Sequence, residues 1–472
     1  MKYIDETKGS ISVFLAMVLL LMLALFLMLL ESARLRMLRS STQEAADLAL
    51  ESVFAGYQRE LYEEYGLLFY DGGFGQGFLR EEELAAEYKA YFAANCGGTS
   101  VRGSFFRVNL SEPEVITLIS AVDYSGEIFR RNALRSGRFQ PEETQLQQTQ
   151  MNLALLREGE RSFPLMSEGS ERFLSDQARK VLEESVAGDV LLLRASFSTA
   201  FFLPAGTAVS GASTQLDELP SLCQRDERTL YGDHVSGNNE EKAEFLEYLE
   251  QYYGSFSSQG STGGLLYGLE YLLYGACRDD ENLAYFLRRL IHARAGLNLK
   301  MILRSPQKCA ELSAEAKRLY ELSDEELPQE TAFGYLADAW AYAEAAVDLR
   351  MLLSGRRVPL EKTEQNWTLP FSGISVLCRT GIAVTTGAEE LSGLDYCSCL
   401  KLFLDEIGLE DLSYRAMDLI QIRMRGAAPG FLMCAQLDAM EFRTEVSSGP
   451  LFTALPAVQN TTGIRSGPMP LM

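Results

Sequence analysis

"GSISVFLAMVLLLMLALFLMLLESARLR" occupies residues 9–36. From Ile11 to Leu30 there are twenty residues, and Ser12 is the only polar one. A helix rises about 1.5 Å per residue, so the run covers roughly 30 Å, the hydrocarbon thickness of a bilayer. A secretory signal carries a shorter apolar run, about 7–15 residues, followed by a small-residue cleavage site. Here Glu31, Arg34, Arg36 and Arg39 follow instead, with no A-x-A-like site close behind. The segment reads as a retained transmembrane helix. A helix apolar on all sides would otherwise need protein around its whole circumference.

The flanking charges bear on orientation. Lys2 and Lys8 precede the span and Arg34, Arg36 and Arg39 follow it, so the count of Lys and Arg favours a cytoplasmic C-terminus by one residue. The same three arginines form a membrane-proximal basic cluster that suits anionic head groups.

Beyond the span the sequence continues without proline as far as Gly66, and good helix formers dominate. This predicts one long helix leaving the membrane. Thr42, Ala45, Ala49 and Ser52 fall on one face of it at helical spacing. Small side chains let another backbone approach closely, so this stripe is a candidate partner-helix face.

The 472-residue chain has a net charge of −22, and the four charges ahead of the span cancel, so residues 31–472 carry all of it. Such a surface repels phosphate backbones and speaks against nucleic-acid binding. The hydrophobic fraction of 47% predicts a real core beyond the anchor. Eight cysteines are scattered, which suits neither a disulfide scaffold nor a zinc module. Cys397 and Cys399, two apart in a helical pattern, point away from each other.

Further along, "DGGFGQG" (71–77) breaks the chain and "REEELAAEYKAYFAAN" (80–95) reads as an exposed helix. "SFFRVNL" (104–110) and "EVITLISAV" (114–122) read as strands, and 137–172, polar and Gln-rich, as a linker with one short apolar stretch. "GDVLLLRASFSTAFFLP" (188–204) predicts one or two strands. Two stripes predict long helices: Leu283, Leu287, Leu290, Ala293, Leu297 and Met301, with Asp280 as N-cap, and Phe333, Leu336, Trp340, Ala343, Val347 and Met351, closed by Gly355. Two shorter helices fit 393–406 and 411–424. Near the end "AQLDA" and "MEFRTEV" each alternate, but the apolar phase flips between Ala439 and Met440, where a β-bulge would restore one buried face.

Residues for chemistry are sparse. His234 and His292 are the two histidines, and neither stands in H-E-x-x-H; there is no C-x-x-C, no G-x-S-x-G and no G-x-x-x-x-G-K-[ST]. "GGFGQG" lacks G-x-G-x-x-G spacing and reads as a turn. Trp340 and Trp367 read as core anchors. No catalytic residue, metal ligand or cofactor is expected, and the chain is not read as an enzyme.

Gly9, Ser10 and Ile11, the span, and then Gln43, Ala45, Ala46, Asp47 and Ala49 in "TQEAADLAL" resemble the minor pilin-like proteins of tight-adherence (Flp) pilus systems. The chain as a whole is similar to an uncharacterised family of N-terminally anchored bacterial proteins, mostly from Gram-positive anaerobes. That resemblance rests on "LYEEYGLLFYD" (61–71), "LEYLLYGACRDDENL" (269–283), "AWAYAEAAVDLRMLLSGRRVPLEKTEQNWTL" (339–369) and "YRAMDLIQIRMR" (414–425). It implies association with tight-adherence pilus loci, a cytoplasmic N-terminus and an extracytoplasmic C-terminal region, against the arginine count. One departure stands out. Pilin precursors carry Glu at the fifth position after the cleaved glycine, and here Phe14 stands there. This argues against processing after Gly9 and against polymerisation as a major subunit.

The expected fold class is α+β: an N-terminal transmembrane helix continuing into a long helix, then a helix-rich extracytoplasmic region with short antiparallel strands. The expected divisions are 1–66, 67–136, 137–187 and 188–472. The expected function is a single-pass extracytoplasmic assembly or structural protein of a pilus or secretion apparatus. Its partners would be the bilayer and other components of that apparatus, reached through the membrane-proximal helix. A membrane-anchored ligand-binding or sensing protein is the first alternative, and an envelope glycan-acting enzyme using acidic residues the second.

Overall fold

The computed structural model describes residues 6–96, 108–136, 143–163, 174–215, 219–221, 239–258, 264–381, 393–452 and 460–466. Cys223, His234 and part of both the 104–110 strand and the 137–172 linker lie outside the described residues. The chain is mostly helical with a few short antiparallel strands. It divides into two units. One combines residues 1–132 with 428–472, and the other is 133–427.

In the first unit α1 (Glu6–Phe54) is one helix of 49 residues. It is long and apolar enough to cross a membrane, and none of its most apolar stretch is buried. Its second half, about 36 Å beyond Leu30 by the helical rise, turns into a core helix. It ends at Phe54 rather than near residue 66, because Gly56 is a poor helix former and the Gln58 N–H leaves the helical ladder to bond Phe69 O at 2.8 Å. A separate short helix follows, α2 (Arg59–Tyr65). After β1 (Tyr70–Asp71) the "DGGFGQG" segment is a turn: the Asp71 carboxylate accepts from the N–H groups of Gly73 and Gly75 at 3.0 and 2.7 Å. Then come α3 (Glu81–Asn95), β2 (Asn109–Leu110), β3 (Glu114–Ser120) and α4 (Glu127–Ser136), and from the far end of the chain β4 (Gln436–Ser448) and β5 (Asn460–Ser466).

β4 is the hub of the sheet, with β1, β2, β3 and β5 all antiparallel to it. Phe442 pairs with both Val115 and Ser466, and Leu437 with both Tyr70 and Ser120, so β3 and β2 lie on one side of β4 and β1 and β5 on the other. The phase flip seen in the sequence is real and sits one residue before the expected place. The register jumps from Ile119↔Ala439 to Ser120↔Leu437, leaving Asp438 as the extra residue. Leu437 before the jump and Met440, Phe442 and Val446 after it thereby enter one core with α1 and α3. The displaced Asp438 carboxylate accepts from Arg131 at 3.0 Å and Asn132 at 3.2 Å. Tyr88 of α3 stacks on Phe442 with ring centroids 4.4 Å apart.

The second unit is helical: α5 (Glu143–Ser162), α6 (Asp176–Glu183), α7 (Val186–Ala195), α8 (Thr199–Phe202), α9 (Asn239–Tyr252), α10 (Gly268–Tyr274), α11 (Asp279–Arg304), α12 (Pro306–Leu322), α13 (Gln329–Leu353), α14 (Ile374–Thr380), α15 (Tyr396–Leu404) and α16 (Leu409–Arg425). The two expected stripes are buried in α11 and α13, with Phe333, Met301 and Met351 at their half-buried ends. Gly355 closes α13 at φ +81°: its N–H bonds Leu352 O and that of Arg356 bonds Met351 O, both at 3.0 Å.

Four further expectations change. α3, read as an exposed helix, buries Leu84, Tyr88 and Phe92 in the core with α1 and β4. Residues 188–204 are helical, not strands: Ser185 caps α7 by accepting the Ala187 N–H, and Leu192 of the leucine run faces outward, 68% exposed. The polar 137–172 segment holds α5, which packs on α11 where Gly159 meets Gly296. A Cβ on Gly296 would stand 1.9 Å from Gly159 O, so only glycine permits this crossing. Asp280 does not cap α11, which starts one residue earlier; its carboxylate holds Arg278 at 2.9 and 2.7 Å.

Candidate functional site at the exit of the apolar helix

Where α1 leaves its apolar stretch, the chain returns to meet it. Glu31 and Arg34 are one turn apart and both buried, 7% and 3% exposed. Arg34 Nη1 lies 2.7 Å from Glu31 Oε1 and donates to Gly449 O at 3.1 Å, while Nη2 donates to Ser448 Oγ at 2.7 Å. Glu31 Oε2 accepts the backbone N–H groups of Leu451 and Phe452 at 3.2 and 3.0 Å. One ion pair thus clasps Ser448 at the end of β4 together with Gly449, Leu451 and Phe452 just beyond it. Burial alone would raise the Glu31 carboxyl; the two N–H donors and the guanidinium outweigh it and hold the carboxyl below its ordinary value.

Beside the clasp runs a groove of about 450 Å³ whose walls include Met28, Leu35, Leu38, Arg36, Arg39 and Val446. The basic cluster is therefore split. Arg34 is internal and paired, whereas Arg36 and Arg39 are exposed and line the groove. The small-residue stripe has a partner within its own unit. Ala45 and Ala49 are buried in the core formed with α3 and β4, and Thr42, also buried, donates to Leu38 O at 2.7 Å. Ser52 is half-buried and bonds back to Leu48 O.

The helical unit holds a second polar assembly that sequence reading missed. Arg294, Glu344, Asp348 and Lys362 all have side chains at most 1% exposed. Arg294 donates to Asp348 Oδ2 at 2.8 Å and to Pro359 O at 2.9 Å. Lys362 Nζ lies 2.6 Å from Asp348 Oδ1 and also binds Glu344. Glu344 accepts from the Thr368 N–H and hydroxyl and from the Leu369 N–H at 2.7–2.9 Å. Burial pushes Asp348 up, but Arg294 and Lys362 outweigh it and hold it low. Trp340 and Trp367 cross at 88° beside this group, both donating to Leu369 O, as core anchors do. The signal was present in 339–369: two acids one turn apart inside an otherwise apolar, alanine-rich helix.

Two other blocks also meet. Tyr271 donates to Asp418 Oδ2 at 3.0 Å, and Arg415 donates to Leu272 O and Leu273 O at 2.7 Å. Nearby Glu270, fully buried, accepts from Tyr396 at 2.6 Å and from the Phe256 N–H at 2.9 Å. Burial pushes its carboxyl up to about 7. The thiols are free among the described residues, Cys399 is buried, and burial pushes Cys96 up to about 11 and Cys378 and Cys399 to about 12. No group of three His, Cys, Asp or Glu fit to hold a metal occurs among the described residues.

A family of unknown function, DUF5702, matches residues 177–448, more than half of the chain. The chain belongs to the DUF5702 family. No curated protein and no solved structure matches it. The DUF5702 match begins in α6 and ends with β4, so it includes the buried tetrad and the hub strand. The apolar helix with Glu31 and Arg34 lies ahead of it.

Proposed function

We propose that this protein is a single-pass, membrane-anchored assembly protein without catalysis, with an extracytoplasmic C-terminal region, working in a tight-adherence-type pilus or secretion apparatus as a minor pilin-like component. The observation that carries the reading is the two-part character of α1. Its apolar half is bare over a bilayer's thickness, while its other half is a core helix locked by the Glu31–Arg34 clasp. A mere tether needs no such lock. A helix that transmits position or force between the bilayer and a folded unit does. Since Ala45 and Ala49 are taken up by the unit's own core, the face left for a partner carries Met37 and Leu48, 55% and 52% exposed.

Affinity capture of the full chain from cross-linked membranes tests the proposal. Pilus or secretion platform proteins should co-purify, and Met37→Glu with Leu48→Glu should abolish their recovery without lowering thermal stability. Recovery of the chain alone would count against the assembly role. Protease shaving of wall-stripped cells tests topology: full protection of residues 67–472 would reverse the orientation.

A further inference from the structure

We propose that the groove beside the clasp is a docking site for one anionic phospholipid of the leaflet from which α1 emerges; the inference rests on α1 being inserted in a membrane. Met28 lies in the last turn of the apolar run, and the groove continues through Leu35 and Leu38 to Thr42, about 21 Å along the helix. Residues 28, 31/32, 35/36, 38/39 and 42 share one helix face. The wall is apolar next to the hydrocarbon and basic beyond it, which is the polarity sequence of a lipid.

The heights agree. Arg36 and Arg39 lie about 9 and 13 Å beyond Leu30, and side chains on a helix tilt toward its N-terminus, here toward the bilayer. Arginines of that reach arrive at the head-group layer, which extends roughly 5–8 Å past the hydrocarbon on each side. The one acid among the lining residues, Glu31, is committed to Arg34 and to two backbone N–H groups. In a chain of net charge −22, two exposed arginines lining one groove are complementary to an anionic head group. Its phosphate would be held by Arg36 and Arg39, with an acyl chain along Met28, Leu35 and Leu38.

The test uses the full chain reconstituted with phosphatidylcholine containing a minor fraction of phosphatidylglycerol. Lipid that stays bound after gentle detergent extraction is measured by mass spectrometry. Bound phosphatidylglycerol should be enriched over its bulk fraction, by roughly fivefold per arginine engaged. Arg36→Gln with Arg39→Gln should return the ratio to bulk while the melting temperature is unchanged, because both residues are exposed and glutamine is an equally good helix former. Enrichment that survives the double substitution, a wild-type ratio equal to bulk, or displacement of the lipid by inorganic phosphate alone overturns the proposal. Alkaline carbonate extraction of the same vesicles separates the two levels of failure: release of the chain overturns insertion itself, whereas retention without enrichment overturns only the lipid site.

Discussion

Both units bury charge, but they do so in opposite ways. In the sheet unit one Glu–Arg pair sits at the rim of the fold, and much of its satisfaction comes from the backbone and hydroxyl of 448–452. In the helical unit two acids and two bases neutralise one another in full enclosure, at most 1% exposed. The rim pair ties two distant stretches of chain together. The enclosed tetrad fixes how α11, α13 and the 359–369 segment register on each other, and it tolerates no loss of a member. Removing one partner of a buried ion pair costs more than the pair's net contribution, because the survivor remains charged without water.

The contrast breaks most sharply at Lys362. Lys362→Met should lower the unfolding free energy of the full chain by about 3–5 kcal/mol, read by chemical denaturation. Adding Glu344→Gln, which removes the orphaned charge as well, should restore a large part of it. If the double variant is no more stable than the single, charge balance is not what holds the group.

Glu270 gives a second handle on the same unit. Its folded pKa of about 7 lies above the ordinary 4.5, so the folded state keeps a proton that the unfolded state has lost. Stability from this group is full below about pH 4.5 and falls as pH rises toward 7, by at most about 3 kcal/mol. Glu270→Gln should flatten that part of the profile relative to wild type. Asp338 and Asp418 are raised too, so the difference between the two profiles isolates Glu270, and parallel profiles would refute the assignment.

In the sheet unit, Ala49→Leu should overpack the α1–α3 core and cost about 1–3 kcal/mol, seen as a lower melting temperature. An unchanged melting temperature would mean that this face of α1 is not packed. At the rim, Glu31→Gln should cost about 1.5–3 kcal/mol, as expected for hydrogen bonds to a charged group. Its sign with pH is opposite to that of Glu270. The Glu31 carboxyl is held low, so its contribution is present above pH 4.5 and disappears as pH falls below that range. Acid titration of wild type and variant should converge there.

What could be read in advance followed local rules. The stripes of α11 and α13, the Gly355 closure, α15, α16 and the phase flip in β4 are each stated within a few neighbouring residues. What could not be read depended on distant partners. Nothing near Arg34 distinguishes it from Arg36 or Arg39; its hydroxyl partner, Ser448, is 414 positions away. α5 hid its apolar contacts, Leu153 and Leu156, among glutamines, and the reason for Gly159 is Gly296. The leucines of α7 imitated a strand because the cap at Ser185 counts for more than the run that follows it. The pair of acids in α13 was visible, but an acidic chain makes every carboxylate look ordinary.

The hub strand has a consequence for the order of events during synthesis. Every other described strand of the sheet pairs with β4, which is among the last segments to be made. Residues 133–427 can therefore condense while α1, α2 and α3 still await their sheet, and the clasp on Glu31 closes only when residues 448–452 arrive. A nascent chain halted anywhere before Ala428 would carry an unfinished first unit, with the α1 alanines and the aromatic face of α3 uncovered. Such a fragment would present apolar surface to chaperones and proteases, so closure of the first unit reports that β4 has been made.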